Sequence, residues 1–105
     1  MAQGWKVVRQ LFGSYLSVYE QFGMVEYVSG EETYPIVGNG PLAVFDNKDN
    51  AERFKSTLFF CGRVLVVPCE YEPSEKSNLW TSYEIMQSVY LPYGTVTADW
   101  VIINP

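Results

Sequence analysis

The sequence predicts an α+β fold, in which a mainly antiparallel twisted sheet of about five to six strands carries one principal helix. Three observations predict this class. Short runs rich in Val, Ile and aromatic residues alternate apolar and polar positions, as strands do. Gly, Pro, Asn and Asp recur between these runs, where turns are needed. The stretch 46–62 combines helix-capping residues with apolar residues at helical spacing.

Length and composition predict one globular domain over residues 1–105, since 48% hydrophobic and 18% charged residues are typical of compact chains. The net charge of −5, from 12 acidic and 7 basic residues, predicts no generic binding to nucleic acid, which needs clustered positive charge. The sequence shows neither a signal-peptide pattern nor an apolar run long enough to span a bilayer. We therefore expect a cytoplasmic protein without membrane contact.

The N-terminal third predicts an antiparallel meander. Residues 5–10 and 15–20 form a hairpin around Gly13, and residues 24–28 add a third strand. Residues 34–41 contain two Gly and two Pro residues, which predicts a surface loop and a tight turn at 38–41 rather than a phosphate-binding loop.

A short buried strand at 42–45 precedes the most clearly predicted element, a helix. Asp46 and Asn47 can each cap its N-terminus, Asp49 lies in its first turn, and Gly62 is a natural stop. Between them, apolar residues recur at helical spacing: Ala51, Phe54 and Leu58.

Two further strands are predicted in the C-terminal half. Residues 63–72 are rich in Val, and Pro68 indicates an edge position or a bulge. Residues 95–103 place alternate residues on one face, namely Val96, Ala98, Trp100 and Ile102. Residues 73–78 are a polar loop. The next segment fits two structures, because Thr81-x-x-Glu84 resembles a helix capping box while the β-branched and aromatic residues after it suit a strand.

Three stretches carry a family signature: Gly4-x-Lys6-Val7-Val8-Arg9; Val44-Phe45-Asp46 with Ala51-x-Arg53-Phe54; and Leu91-Pro92-x-Gly94-Thr95-Val96-x-Ala98-Asp99-x-Val101. In these the chain resembles a small domain of unknown function seen in hypothetical proteins of phages, archaeal viruses and prokaryotes. The resemblance implies a viral or mobile-element origin, a place in the host cytoplasm and an accessory or host-interaction role. Its motifs are strand and turn signatures without catalytic content, and residues 72–90 have no counterpart in it.

The absence of histidine narrows the possible chemistry. It removes the usual general base near neutral pH, the usual partner of a Ser or Cys nucleophile and the commonest zinc ligand. Cys61 and Cys69 are predicted to be reduced, buried apolar residues. No cofactor and no structural metal are predicted.

A pair of carboxylates leaves an enzymatic alternative open. Glu70 and Glu72 would lie on the same side of one strand about 7 Å apart, a separation compatible with a divalent cation or with acid–base catalysis. A solvated strand end before Pro73 is the favoured interpretation, because the sequence positions no third acidic ligand.

The positive functional signal is aromatic, with 8 Tyr, 3 Trp and 6 Phe making up 16% of the chain. If Leu16 and Val18 face the core, then Tyr15, Ser17 and Tyr19 form a row on the opposite face. Amphipathic rings of this kind are enriched in protein interfaces. The candidate binding residues are Tyr15, Tyr19, Tyr71, Trp80, Tyr83 and Tyr90, with Arg9 and Arg63.

These residues support two binding hypotheses. In the first, the chain is a non-enzymatic interaction protein whose aromatic, mildly acidic surface binds a protein partner or a second copy in a homodimer. In the alternative, Tyr and Trp stack on a small anionic or nucleotide-like ligand, and Arg9, Arg53 or Arg63 meets its phosphate or carboxylate. A deep pocket containing an arginine would favour the second hypothesis.

Overall fold

The computed structural model of the chain describes residues 1–18, 25–58, 63–80, 85–86 and 91–105. Its elements in chain order are β1 (Ala2–Leu11), β2 (Ser14–Leu16), β3 (Glu26–Tyr27), β4 (Leu42–Phe45), α1 (Lys48–Lys55), β5 (Arg63–Pro73), β6 (Leu79–Trp80), β7 (Ile85–Met86) and β8 (Thr95–Ile103). No helix within the described ranges is long and apolar enough to cross a membrane.

Six strands form one antiparallel sheet in the order β3-β2-β1-β4-β8-β5, and a further pairing of β1 with β5 closes four of them into a barrel. The prediction of a mainly antiparallel sheet with one principal helix is confirmed for the described residues, but the sheet has a barrel-like closure where a twisted sheet was predicted. Strand β1 causes the closure, because it is long enough to pair with β5 from Ala2 to Gln10 on one edge and with β4 and then β2 on the other.

Two apolar clusters lie on the two faces of this sheet. The inner cluster fills the barrel and contains, among others, Val8, Val44, Val67, Val101 and Ile103. The outer cluster lies beneath the helix, and its buried members are Val7, Val18, Phe45 and Ala51. Most strands of the barrel are therefore covered on both faces.

Helix α1 begins as predicted and ends earlier than predicted. Of the two possible caps the structure uses Asn47, whose Oδ1 accepts hydrogen bonds from the backbone N–H groups of Asp49 at 2.8 Å and Asn50 at 3.2 Å. The helix ends at Lys55 because the hydroxyls of Ser56 and Thr57 donate to the carbonyls of Arg53 and Phe54, which closes the last turn locally. Gly62, the predicted stop, lies outside the described residues.

Removing the cap should destabilise the protein. Asn47→Ala is expected to lower the free energy of unfolding by about 1 kcal/mol, because two helical N–H groups lose their acceptor. Asp46→Ala is the control, since that side chain is exposed and does not cap the helix. Urea denaturation of both variants measures the difference. Equal losses would show that Asn47 acts as an ordinary surface residue.

A β-bulge in β8 overturns the predicted face of that strand. Glu72 of β5 pairs with Trp100 and Pro73 pairs with Ala98, so Asp99 is an extra residue without a partner in this ladder. The insertion shifts the inward positions by one residue beyond Ala98. Val101 and Ile103 are consequently buried in the inner cluster, where the alternation had predicted Trp100 and Ile102.

The segment after residue 78, for which the sequence fitted both a helix and a strand, contains two short strands. Strand β6 pairs with β7 through Leu79 with Met86 and Trp80 with Ile85. The strand interpretation is confirmed for these residues, while the possible capping box at 81–84 lies outside the described residues. Pro68 occupies an edge position toward β8, because β8 ends opposite Cys69 and the Pro68 carbonyl accepts from Asn104 beyond it.

Candidate functional site

The β1–β2 turn exposes a phenylalanine in an unfavourable backbone conformation. Phe12 and Gly13 are the two loop residues between the paired Leu11 and Ser14, and both have positive φ angles, of 50° and 82°. Such two-residue turns favour Asn or Gly, since a side chain with a Cβ atom is strained in the left-handed region. Phe12 is nevertheless 98% exposed. Neither packing nor backbone preference explains a phenyl ring at this position.

A row of side chains crosses the sheet next to this turn. Tyr27 pairs with Tyr15, Tyr15 with Gln10, and Gln10 with Arg63, so these four lie side by side on the inner face of β3, β2, β1 and β5. Two predicted binding residues, Tyr15 and Arg63, are thus brought within about 10 Å of each other, because two strand spacings separate them. Arg63 is exposed and Tyr15 is half-buried.

The predicted exposed face of β2 was wrong. Tyr15 packs against the inner cluster, and Ser17 is only 8% exposed. Val18 is buried in the outer cluster on the other side of the sheet, so the chain here is covered on both faces. The physical reason is barrel closure, which gives the second face of this hairpin a core of its own.

The other predicted binding residues lie apart from this row. Tyr71 is buried in the inner cluster, and Trp80 is half-buried. The backbones of Trp80 and Gly40 exchange two hydrogen bonds, of 2.6 Å and 3.0 Å, in an isolated bridge. Tyr19, Tyr83 and Tyr90 lie outside the described residues.

The three arginines do not converge on one site. Arg9 is buried and neighbours Gln10 in β1, so it faces the opposite side of the sheet from Arg63, the partner of Gln10. Arg53 is exposed on α1 and lines an open groove of about 360 Å³ that also contains Tyr93. Neither Arg9 nor Arg63 lines that groove.

The carboxylate pair lies on the outside of the barrel. Glu70 and Glu72 alternate with the buried Cys69 and Tyr71, and the Glu72 carboxylate lies 3.4 Å from the N-terminal amine of Met1. Within the described ranges, no three His, Cys, Asp or Glu side chains are grouped so that they could hold a metal ion.

A buried lysine, which sequence analysis did not select, lies where β1 passes from one partner strand to the next. The edge of β1 pairs with β4 at Trp5 and with β2 from Arg9 onward. Lys6, between these pairings, is 7% exposed and donates a hydrogen bond from Nζ to the Ala43 carbonyl of β4. Its side chain thereby links β1 to β4 at the gap between the strands β4 and β2. We call this place the Lys6 seam, and define it by Lys6, Ser17 and Ala43.

Small cavities lie on both sides of the Lys6 seam. One of about 50 Å³ is also lined by Tyr27, Trp80, Pro35 and Ile36 among others. A second, of about 30 Å³, lies toward the helix and includes Phe45 and Phe54. All three residues of the Lys6 seam line both cavities. Among the described residues, Lys6 is the one charged side chain that lines either cavity.

Burial changes the acidity of the groups around this amine. Desolvation lowers the pKa of Lys6 from 10.5 to about 8, against a smaller opposing effect of Cys69. Desolvation raises the pKa of Cys69 to about 11, which Lys6 partly offsets, and it also raises the pKa of Tyr27. Cys69 is a buried free thiol, as predicted. Cys61 lies outside the described residues.

The tyrosine beside the lysine has an unsatisfied hydroxyl. The ring centroid of Tyr27 lies 5.1 Å from Lys6 Nζ, close enough for a cation–π interaction. The Tyr27 hydroxyl is buried and has no hydrogen-bond partner among the described residues. A sequence signal for Lys6 existed, since it is the one charged residue inside the apolar run 5–8, but the pattern could not show that this position faces the barrel interior.

Fold and site together define a small barrel-like α+β protein with a protruding aromatic hairpin and a buried lysine. No family model, no curated protein and no solved structure matches the chain. The assignment of function therefore depends on the geometry of these residues.

Proposed function

We propose that the chain is a non-enzymatic binding protein that inserts the Phe12 hairpin into an apolar pocket of a protein partner or of a second copy. The observation that carries the proposal is the fully exposed phenyl ring at a turn position that disfavours it. Backbone strain of this kind persists where function requires the side chain, and aromatic anchors dominate many protein interfaces.

The surroundings of the hairpin support a binding role. Arg63, in the row beside the turn, is exposed, and arginine is enriched at binding hot spots. Val28 lies at the same end of the β2–β3 pair as the turn, and it is half exposed. The viral or mobile-element origin implied by the family resemblance fits a partner from a host cell and stays a prediction.

Replacing Phe12 should stabilise the fold while removing the side chain proposed to bind the partner. Phe12→Asn is expected to raise the unfolding free energy by about 1 kcal/mol, because Asn tolerates the left-handed conformation and the exposed ring contributes no packing. Thermal denaturation should show a Tm higher by about 5 °C. A lower Tm would show that the ring packs within the monomer, which contradicts the proposal.

Binding is tested by photo-crosslinking in cells. A photoreactive phenylalanine analogue at position 12 should give a discrete product, either of twice the chain mass with a second copy or of another mass with a foreign protein. The control places the same analogue at Tyr93, which is also exposed but belongs to a different surface. Identical patterns at positions 12 and 93, or no product at position 12, would reject the hairpin as the binding element.

A further inference from the structure

Among the described residues, the Lys6 amine has no counter-ion. A lysine ammonium has three donor hydrogens, and the described contacts of this one are the Ala43 carbonyl and the face of the Tyr27 ring. No Asp or Glu among the described residues pairs with it. A buried charge without an anion is costly, so the site is stabilised either by loss of the proton or by a bound anion.

The tyrosine that contacts Lys6 also lines the cavity of about 50 Å³. Its hydroxyl, on a side chain only 2% exposed, has no acceptor among the described residues. An unmade hydrogen bond of this kind costs about 1–3 kcal/mol in a protein interior. An anion in the cavity would give both donors an acceptor at once.

The walls and the size of the cavity restrict the anion. Most of the lining is apolar or aromatic, including Pro35, Ile36, Leu42 and Trp80, so the site suits a ligand with a small apolar end. A volume of about 50 Å³ admits only a few non-hydrogen atoms. A phosphate dianion would bring two negative charges to a single ammonium, and an apolar pocket would not compensate the second.

We propose that the cavity beside the Lys6 seam binds a small monocarboxylate, of about the size of formate or acetate, whose oxygens accept hydrogen bonds from Lys6 Nζ and Tyr27 Oη. The methyl end would contact the apolar wall near Trp80 and Pro35. This site is independent of the Phe12 hairpin. It uses a lysine where the sequence had suggested an arginine for an anionic ligand.

Acetate is the probe, and sodium chloride at equal ionic strength is the reference. At pH 7, thermal denaturation should show a saturable rise of Tm in acetate, of about 5 °C once its concentration exceeds the Kd tenfold, and no comparable rise in chloride. Tyr27→Phe removes only the hydroxyl without a partner and should fold normally while losing most of this shift. Lys6→Met should lose it completely.

Tyr34→Phe is the matched control, because that hydroxyl is exposed and bonds to Glu32. It should keep the full acetate response. The proposal is overturned if the wild-type protein responds equally to acetate and chloride, or if Tyr27→Phe responds to acetate like the wild type. A response retained in Lys6→Met would overturn it as well, because any bound acetate would then lie elsewhere on the protein.

Discussion

Gly4→Ala should lower the free energy of unfolding by about 3 kcal/mol or more, a large effect for the addition of a single methyl group. A Cβ atom at Gly4 would lie 2.5 Å from the carbonyl oxygen of Phe45 and 2.9 Å from Cε1 of Tyr71. The first contact is with backbone of β4, and it cannot be relieved by a change of rotamer. The methyl group must therefore push β1 away from β4 at Trp5–Phe45, their single paired position.

Gly40→Ala provides the control for this prediction. A Cβ atom there would lie 3.2 Å from the ring of Trp80, a half-buried side chain that can move by a few tenths of an ångström. We expect a loss of about 1 kcal/mol or less for this variant. Urea denaturation compares the two proteins directly. If Gly4→Ala is no less stable than Gly40→Ala, β1 and β4 do not approach each other as closely as described.

The stability of the protein should rise with pH from pH 7 to a maximum near pH 9. The pKa of Lys6 is about 8 in the folded chain and 10.5 in the unfolded chain, so between these values the unfolded state binds more protons. The unfolding free energy must then increase with pH. The unfolding free energy should be about 1 kcal/mol higher at pH 9 than at pH 7. The complete lowering of the Lys6 pKa corresponds to about 3 kcal/mol of stability.

Other buried groups facing Lys6 set the upper limit of this rise. The pKa of Cys69 is raised from 9.0 to about 11, and that of Tyr27 is raised as well. Each keeps its proton longer in the folded state, so each makes stability fall as pH increases above about 9. The sum of the two opposing trends places the maximum near pH 9.

Lys6→Met tests the origin of the alkaline rise. This variant should show no rise between pH 7 and 9, only the decline that begins as Cys69 titrates in the unfolded chain. Lys76→Met changes an exposed lysine and should keep the wild-type profile. Denaturant unfolding under reducing conditions at each pH gives the required free energies. A rise that persists unchanged in Lys6→Met would mean that another group is responsible.

Local patterns in the sequence predicted most of the secondary structure. Strand β4 was predicted with its observed limits, 42–45, and the last strand with its limits, 95–103. Asn47 was one of two predicted caps, and the positions of Ala51 and Phe54 correctly indicated the buried side of the helix. These features depend on residues within one or two turns or strand positions of each other, which is why a single sequence reveals them.

The candidate site was predicted less well, because burial in this protein depends on long-range pairing. Tyr15 was assigned to a free surface and Tyr71 to a binding surface, yet both contribute to the inner cluster. Lys6 and Phe12, which carry the two proposals, were not selected. Phe12 is notable only once both φ angles of its turn are known.

Local sequence patterns are enough to specify a small acidic α+β chain with a β1–β2 hairpin, one capped helix and two long strands, since turn residues, caps and alternating apolar positions act over short distances. Three further properties depend on how distant strands pair. Pairing of β1 with β5 closed the barrel, the extra residue Asp99 reversed the inward face of β8, and the gap between β4 and β2 enclosed Lys6. Each of these depends on strands that are distant in sequence meeting in one register, and the register is fixed only when the whole core packs.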